Sequence, residues 1–198
     1  MNNLPPIILK VTTKVHDFDA WKKAFDGRVD ARREAGILGH NITRGTDDPS
    51  LVSVYLPAVD REKLEVFVAD MEARMQKSGL TDPPTISLLV PQEERAVHGR
   101  QVAAAMLIFD VESYDQWKSS FDSGVEFRKR GGVIGYAVNR SATNPNQVVV
   151  FLQAESADKL RELVTSSELA AGMQKAGVRG APEITLLQDL GLAAQYVN

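Results

Sequence analysis

The sequence predicts an α+β protein made of two similar halves whose sheets pack against each other. Two observations support this fold class. Landmark residues recur along the chain at a constant spacing, and within each half the apolar residues alternate between the period of a strand and the period of a helix. With 198 residues, the chain has room for two small domains or one large one.

The internal repeat is clearest around the two tryptophans. The segment from Asp19 to Asp26 returns as the segment from Asp115 to Asp122, and with this shift 18 of the 54 positions from 11 to 64 are identical. A missed repeat would misassign the whole fold, so we take the repeat as the organising feature. The sequence therefore predicts a first repeat over 1–91, a linker over 92–101 and a second repeat over 102–198.

Each half begins with a short apolar strand, predicted over Ile7–Thr13 and Ala104–Val111. A helix follows, because large side chains then recur at spacings of three and four residues. In the two halves these are Phe18, Trp21, Phe25, Val29 and Arg32, and Tyr114, Trp117, Phe121, Val125 and Arg128. Gly36 and Gly132 stand where such a helix would end in a left-handed residue.

Two strands and a turn come next, predicted in the first half over 37–44 and 51–56. A second helix carries apolar residues at helical spacing in both halves, and 166–168 is expected to break or re-cap it in the second half. Final strands are predicted over 85–90 and 183–187. The resulting order, strand, helix, strand, strand, helix, strand, is that of a ferredoxin-like unit.

A four-stranded antiparallel sheet with helices on one face leaves its other face to be covered. The second repeat is the natural cover, so we predict two ferredoxin-like repeats packed sheet to sheet as a pseudo-dimeric α+β barrel. The alternative is that each repeat pairs with another chain. The expected assembly is a monomeric pseudo-dimer or a homodimer.

Composition excludes several function classes. The chain contains no cysteine, which rules out disulfides, thiolate nucleophiles and cysteine metal sites. Its net charge of -3 argues against nucleic-acid binding, and no apolar run approaches the ~20 residues of a membrane span. The three histidines do not recur between repeats and no metal-binding motif is present. We expect a cytoplasmic protein with no bound metal or cofactor and no membrane partner.

The repeated element order, the aromatic helix Asp19–Phe25 and the proline-containing hairpins together resemble the dimeric α+β barrel superfamily, in particular antibiotic-biosynthesis-monooxygenase-like proteins. That superfamily includes cofactor-free oxygenases, haem-degrading enzymes and isomerases. Such families commonly place a tryptophan after the third strand and a histidine in the second helix. This sequence has 56–59 Leu-Pro-Ala-Val and 65–68 Glu-Val-Phe-Val there, so no catalytic residue is carried over.

Candidate ligand-binding residues come from the duplicated Trp and Arg pairs and from strand residues that alternate with the valines. They are Trp21, Arg32, Tyr55, Trp117, Arg128 and Tyr136, with Phe151 as the counterpart of Tyr55. His40, in the second strand, is the candidate acid or base because an imidazole titrates near neutral pH. Each also has a structural interpretation, since aromatic stripes pack cores and arginine in a last helical turn meets the helix dipole.

Two functions remain open at this point. The first is binding of a small apolar or aromatic molecule between sheet and helices, as a cofactor-independent monooxygenase, isomerase or cyclase. The alternative is a non-catalytic stress-response or scaffold module with a filled barrel core. A cavity of ~300 Å³ or more with convergent polar groups would favour the first.

Overall fold

The computed structural model describes residues 5–78 and 82–196. Its strands are β1 (Ile7–Lys14), β2 (Gly39–Gly45), β3 (Leu51–Ala58), β4 (Thr85–Glu94), β5 (Gln101–Val111), β6 (Val133–Ser141), β7 (Gln147–Ala154), β8 (Val178–Leu190) and β9 (Ala194–Gln195). Its helices are α1 (Phe18–Asp26), α2 (Val29–Glu34), α3 (Arg61–Ser78), α4 (Tyr114–Ser123), α5 (Val125–Arg130), α6 (Ala157–Val164) and α7 (Ser167–Lys175). Strands β4 and β5 extend into the predicted linker and leave residues 95–100 between them.

The eight long strands form one closed antiparallel ring. Their order is β3, β1, β4, β6, β7, β5, β8, β2, and β2 pairs again with β3. The last strand of each half therefore crosses to the other half, β4 pairing with β6 and β8 pairing with β2. This arrangement confirms the predicted pseudo-dimeric barrel of two ferredoxin-like repeats, with both seams made by backbone hydrogen bonds.

Strand alternation divides the buried residues into three cores. Val52, Val54 and Leu56 face the helices of the first half, and Val148, Val150 and Leu152 face those of the second. The opposite faces meet inside the barrel, where Tyr55 and Phe151 approach with ring centroids 5.8 Å apart. The helix layers and the barrel interior are thus separate environments on the two sides of one sheet.

The single first helix predicted in each half is wrong, because two short helices stand in its place. Asp17 and Ser113 cap α1 and α4 by accepting a hydrogen bond from the backbone three residues on. These helices then end at Gly27 and Gly124, whose backbone N–H groups bond to carbonyls in the last turn. Gly36 and Gly132, at φ +73° and +76°, end the second short helices as predicted.

The second helical region differs between the halves. In the first half α3 runs without interruption from Arg61 to Ser78. In the second half the helix stops at Thr165, and the Ser166 hydroxyl accepts a hydrogen bond from the Leu169 backbone to begin α7. The predicted break at 166–168 is confirmed.

Candidate functional site

A cavity of about 380 Å³ lies between the sheet and the helices of the second half. Its walls are contributed by strands β5 and β7 and by all four helices of that half. Most of the lining is apolar: Leu107, Phe109, Trp117, Phe121, Phe127, Val150, Leu152, Leu163, Leu169, Met173 and Ala176, with Arg128, Glu168 and Lys175 among the polar residues. A volume of this size admits a small ligand of a few fused rings.

An aromatic stack with an arginine forms one wall of the cavity. The Trp117 and Phe121 rings stack with centroids 5.2 Å apart, and the Arg128 guanidinium lies 3.9 Å from the Phe121 centroid. Arg128 also donates through Nη1 to the Phe121 carbonyl, which accepts the Gly124 backbone N–H as well at the break between α4 and α5. This explains why arginine follows the aromatic residues by seven positions, since it closes the break while placing a positive charge beside the cavity.

A charged network borders the same arginine on the other side. Tyr136 donates its hydroxyl to Glu93 Oε1 at 2.8 Å, and Arg95 and Lys118 contact the same carboxylate at 2.8 and 3.0 Å. Burial acts to raise the pKa of Glu93, but these three hydrogen bonds outweigh it and hold the pKa at about 2. Glu93 therefore stays ionised at neutral pH and acts as a fixed anchor for Tyr136.

The first half repeats the aromatic wall with a different partner. Trp21 and Phe25 stack with centroids 5.4 Å apart, and Arg32 lies 3.8 Å from the Phe25 centroid while donating to the Phe25 carbonyl at 2.6 Å. The Tyr196 side chain is buried here and joins this group from beyond β9. Arg32 Nε donates to its hydroxyl oxygen at 2.6 Å.

His40 completes the buried group in the first half. Its Nδ1 lies 2.8 Å from the Tyr196 hydroxyl, and its ring meets Phe25 edge-on at 5.0 Å. Burial, together with the positive charges of Arg32 and Lys22, lowers the pKa of His40 to about 4. The imidazole is thus neutral at pH 7 and can accept the proton of the Tyr196 hydroxyl.

Folding stability should fall as the pH drops from 6.5 towards 4. His40 ionises near pH 6.5 in the unfolded chain but near 4 in the folded one, so the unfolded state takes up the proton first. Allowing for partial exposure of the ring, we expect a loss of about 2 kcal/mol across this window.

Urea unfolding of the parent chain and of His40→Gln at pH 7 and pH 4.5 measures this loss. The glutamine side chain does not ionise, so His40→Gln should lose less stability between the two pH values than the parent chain. The control is His16→Gln, at an exposed histidine. An undiminished slope in His40→Gln would assign the acid sensitivity to other groups. The pKa of Glu93 is about 2 in the folded chain, so its contribution to stability is lost only as the pH falls from about 4.5 to 2, below the two pH values compared.

The structure brings some of the sequence-predicted residues together and separates others. Trp117 and Arg128 line the cavity, and Tyr136 lies beside it. Trp21, Arg32 and His40 gather in the first half. Tyr55 points into the barrel on the opposite face of the sheet and joins neither group.

Sequence reasoning missed Tyr196 and Glu93. Tyr196 has no counterpart in the repeat, and Glu93 fell in the predicted linker. The available signal for Tyr196 was a large aromatic residue following an otherwise unpatterned tail segment. The described residues contain no group of three or more acidic, histidine or cysteine side chains able to hold a metal, and no described helix is long and apolar enough to cross a membrane.

No protein-family model matches the chain, and no curated protein matches it in sequence. Solved structures do resemble it. An anthrone oxidase-like protein is 13% identical with a TM-score of 0.67, covering 96% of this chain and 92% of its own. A candidate monooxygenase from Lactobacillus acidophilus NCFM is 10% identical with a TM-score of 0.57, covering 97% of this chain and 100% of its own.

A third similar structure is a ferredoxin fold protein related to antibiotic biosynthesis monooxygenases, from Listeria monocytogenes 4b F2365. It is 8% identical with a TM-score of 0.56, covering 93% of this chain and 95% of its own. At these identities the likeness shows the fold alone. The chain has the ferredoxin-like, dimeric α+β barrel fold that its repeat and aromatic helices predicted.

Proposed function

We propose that the second half binds a small, flat, apolar or aromatic molecule in its 380 Å³ cavity. The cavity itself carries this proposal. Its volume is above the ~300 Å³ expected of a ligand site, and the Arg128 guanidinium lies in one wall. The aromatic residues Trp117 and Phe121 would stack on the ligand. Arg128 would face an electron-rich or ionised oxygen on it.

We propose monooxygenase-like chemistry without a bound cofactor, with isomerisation or cyclisation as the alternatives; the oxygenase interpretation is supported by the similar anthrone oxidase-like protein and candidate monooxygenase. His40 lies in the other half, so it supplies no acid or base to this cavity. The residues lining the cavity include no histidine, tyrosine or cysteine to serve as a proximal haem ligand, and Met173 is the one sulfur donor among them. We derive no step through haem. Arg128 would act by stabilising negative charge on the ligand's oxygen.

Gly172→Leu should block the cavity without harming the fold. Gly172 lies in α7 at the cavity mouth, and a Cβ placed there meets no atom within 4 Å. Glycine within a helix is unfavourable, so both Gly172→Leu and the matched control Gly172→Ala should stabilise the protein by roughly 0.5–1 kcal/mol. Only leucine is large enough to obstruct the entrance.

Binding can be followed by quenching of Trp117 fluorescence with anthrone. A Trp21→Phe background leaves Trp117 as the only tryptophan. We expect Gly172→Leu to weaken binding at least ~10-fold, a cost of about 1.4 kcal/mol, and Gly172→Ala to leave it within about 2-fold. Oxygen uptake with anthrone then distinguishes an enzyme from a carrier. Equal quenching in all three proteins would place the ligand elsewhere, and absence of binding would favour the non-catalytic module.

A further inference from the structure

The first half holds a phenol group that belongs to the chain itself. The Tyr196 side chain is only 8% exposed, and its hydroxyl is the meeting point of Arg32 and His40. Its ring lies 5.3 Å from the Arg32 guanidinium and 5.6 Å from the His40 ring centroid. A phenol is thus enclosed by polar groups at its oxygen and by planar groups along its ring.

The polar groups at this point are complementary to a hydroxyl. A guanidinium can only donate, so Arg32 Nε–H donates to the oxygen. With its own proton on Nε2, the neutral imidazole of His40 accepts the hydroxyl proton at Nδ1, and we assign this tautomer because Arg32 already donates to the hydroxyl oxygen. With His40 in this tautomer, a carboxylate has no proton to give Nδ1, and an ammonium group has no lone pair for Arg32. The pairing with Tyr196 is therefore complementary to an alcohol, and the planar surroundings favour an aryl one.

The backbone of the segment that delivers Tyr196 is held by few hydrogen bonds. Strand β9 has two residues, both exposed, paired with Gly39 and His40. One further backbone bond joins the Tyr196 amide to the Leu38 carbonyl at 2.7 Å. Short pairings of this kind open locally at a small free-energy cost compared with global unfolding.

The second half shows what this position looks like without a guest phenol. There Tyr136 occupies the place of His40, and its own hydroxyl is taken by Glu93. Both halves have an arginine beside a stacked phenylalanine. Only in the first half do the arginine and the residue at the His40 position both contact a hydroxyl group from another segment. Tyr196 fills that opening.

We propose that Arg32, His40 and Phe25 form a binding site for a phenolic hydroxyl group, which Tyr196 of the same chain occupies in this structure. A hydroxyaryl ligand and the β9 segment then compete for one site. This site lies in the other half of the barrel from the cavity of the proposed function, and its chemistry is different, so either can fail without the other.

The direct test is Tyr196→Ala with 4-methylphenol, which is the tyrosine side chain as a free molecule, and toluene as the matched control without the hydroxyl. We expect 4-methylphenol to bind the variant and raise its melting temperature, with toluene at least ~10-fold weaker. The parent should bind neither at these concentrations, because its tethered tyrosine has a high effective concentration. Arg32→Met in the Tyr196→Ala chain should abolish the preference for the phenol.

The His40 ring provides a second, local readout by NMR. Removing Tyr196 opens the imidazole to water and should raise its pKa above the value near 4, and saturating 4-methylphenol should lower the pKa again. A change in melting temperature alone would fit any apolar ligand. A His40 pKa that returns to a low value on addition of 4-methylphenol shows that the phenol hydroxyl lies at Nδ1.

Gly39→Ala tests the same site without altering Tyr196. A Cβ at Gly39 would overlap the carbonyl oxygen of Ala194 and so prevent β9 from pairing. Gly27→Ala, where the added Cβ meets only ordinary contacts, is its control. Gly39→Ala should bind 4-methylphenol and Gly27→Ala should not.

Three results would overturn the proposal. They are no binding of 4-methylphenol by either opened variant, toluene binding as tightly as 4-methylphenol, and a phenol preference that survives Arg32→Met. An opened variant that is unfolded alone but folds with 4-methylphenol supports the site. An unfolded variant that does not fold when 4-methylphenol is added counts against the site.

Discussion

Arg32→Met is expected to lower the free energy of unfolding by about 3 kcal/mol. The side chain is only 3% exposed and makes hydrogen bonds to the Phe25 carbonyl and the Tyr196 hydroxyl. Methionine fills part of the space but donates nothing, so the buried Tyr196 hydroxyl loses its donor and the Phe25 carbonyl is left with the Arg28 backbone N–H. For a protein of this size the melting temperature should fall by roughly 6–12 °C.

Arg33→Met is the matched control, because Arg33 is the next residue of the same helix and its exposed side chain contacts only Asp30 among the described ion pairs. We expect a change within about 0.5 kcal/mol there. Urea unfolding of both variants measures the difference. Equal, small losses would show that the break between α1 and α2 needs no arginine and that Tyr196 is held by its ring alone.

Asp189→Ala should cost a similar amount, about 3 kcal/mol, by a different route. Its buried carboxyl group accepts hydrogen bonds from Gln153 at 2.9 Å, Asn41 at 3.1 Å and the Gly191 backbone at 3.0 Å. Asp189 lies on β8 at the seam, paired with Thr43 of the first half. Alanine would remove the acceptor from the buried Gln153 amide and the half-buried Asn41 amide, one from each half.

Gln188→Ala on the same strand is exposed and controls for the effect of alanine in β8. It should change the free energy of unfolding by no more than about 0.5 kcal/mol. Single-tryptophan chains, with Trp21 or Trp117 alone, report unfolding in each half. If Asp189→Ala leaves both transitions where they were, the polar contacts across the seam do not stabilise the closed ring.

The fold was predictable because the repeat supplied each element twice. An element predicted in one half is supported by its counterpart in the other. Gly36 and Gly132 marked helix ends because the left-handed backbone conformation there favours glycine, which is visible in the sequence. The splitting of the first helix was not predicted, since Gly27 and Gly124 are not at matching positions and the apolar spacing continues across both breaks.

The candidate sites were only partly predictable, because they depend on departures from the repeat. Trp117 and Arg128 could be named from their duplication. The cavity beside them is also lined by residues of α6 and α7, and a predicted helix break does not say where these helices lie relative to the sheet. Tyr196 and Glu93 reach their partners from distant segments, at separations of 164 residues from Arg32 and 43 from Tyr136. Local periodicity carries no information on such pairings.

The closed ring built from one chain frees its halves to change independently. In a barrel made of two identical subunits, every substitution appears twice and alters both sites and both seams at once. Here a substitution appears once. One seam can carry Glu93 and its cations while the other carries Asp189 and its amides, and an open cavity can coexist with a site sealed by a tyrosine. The duplication thus gives the protein an asymmetry that no homodimer of a single repeat could encode.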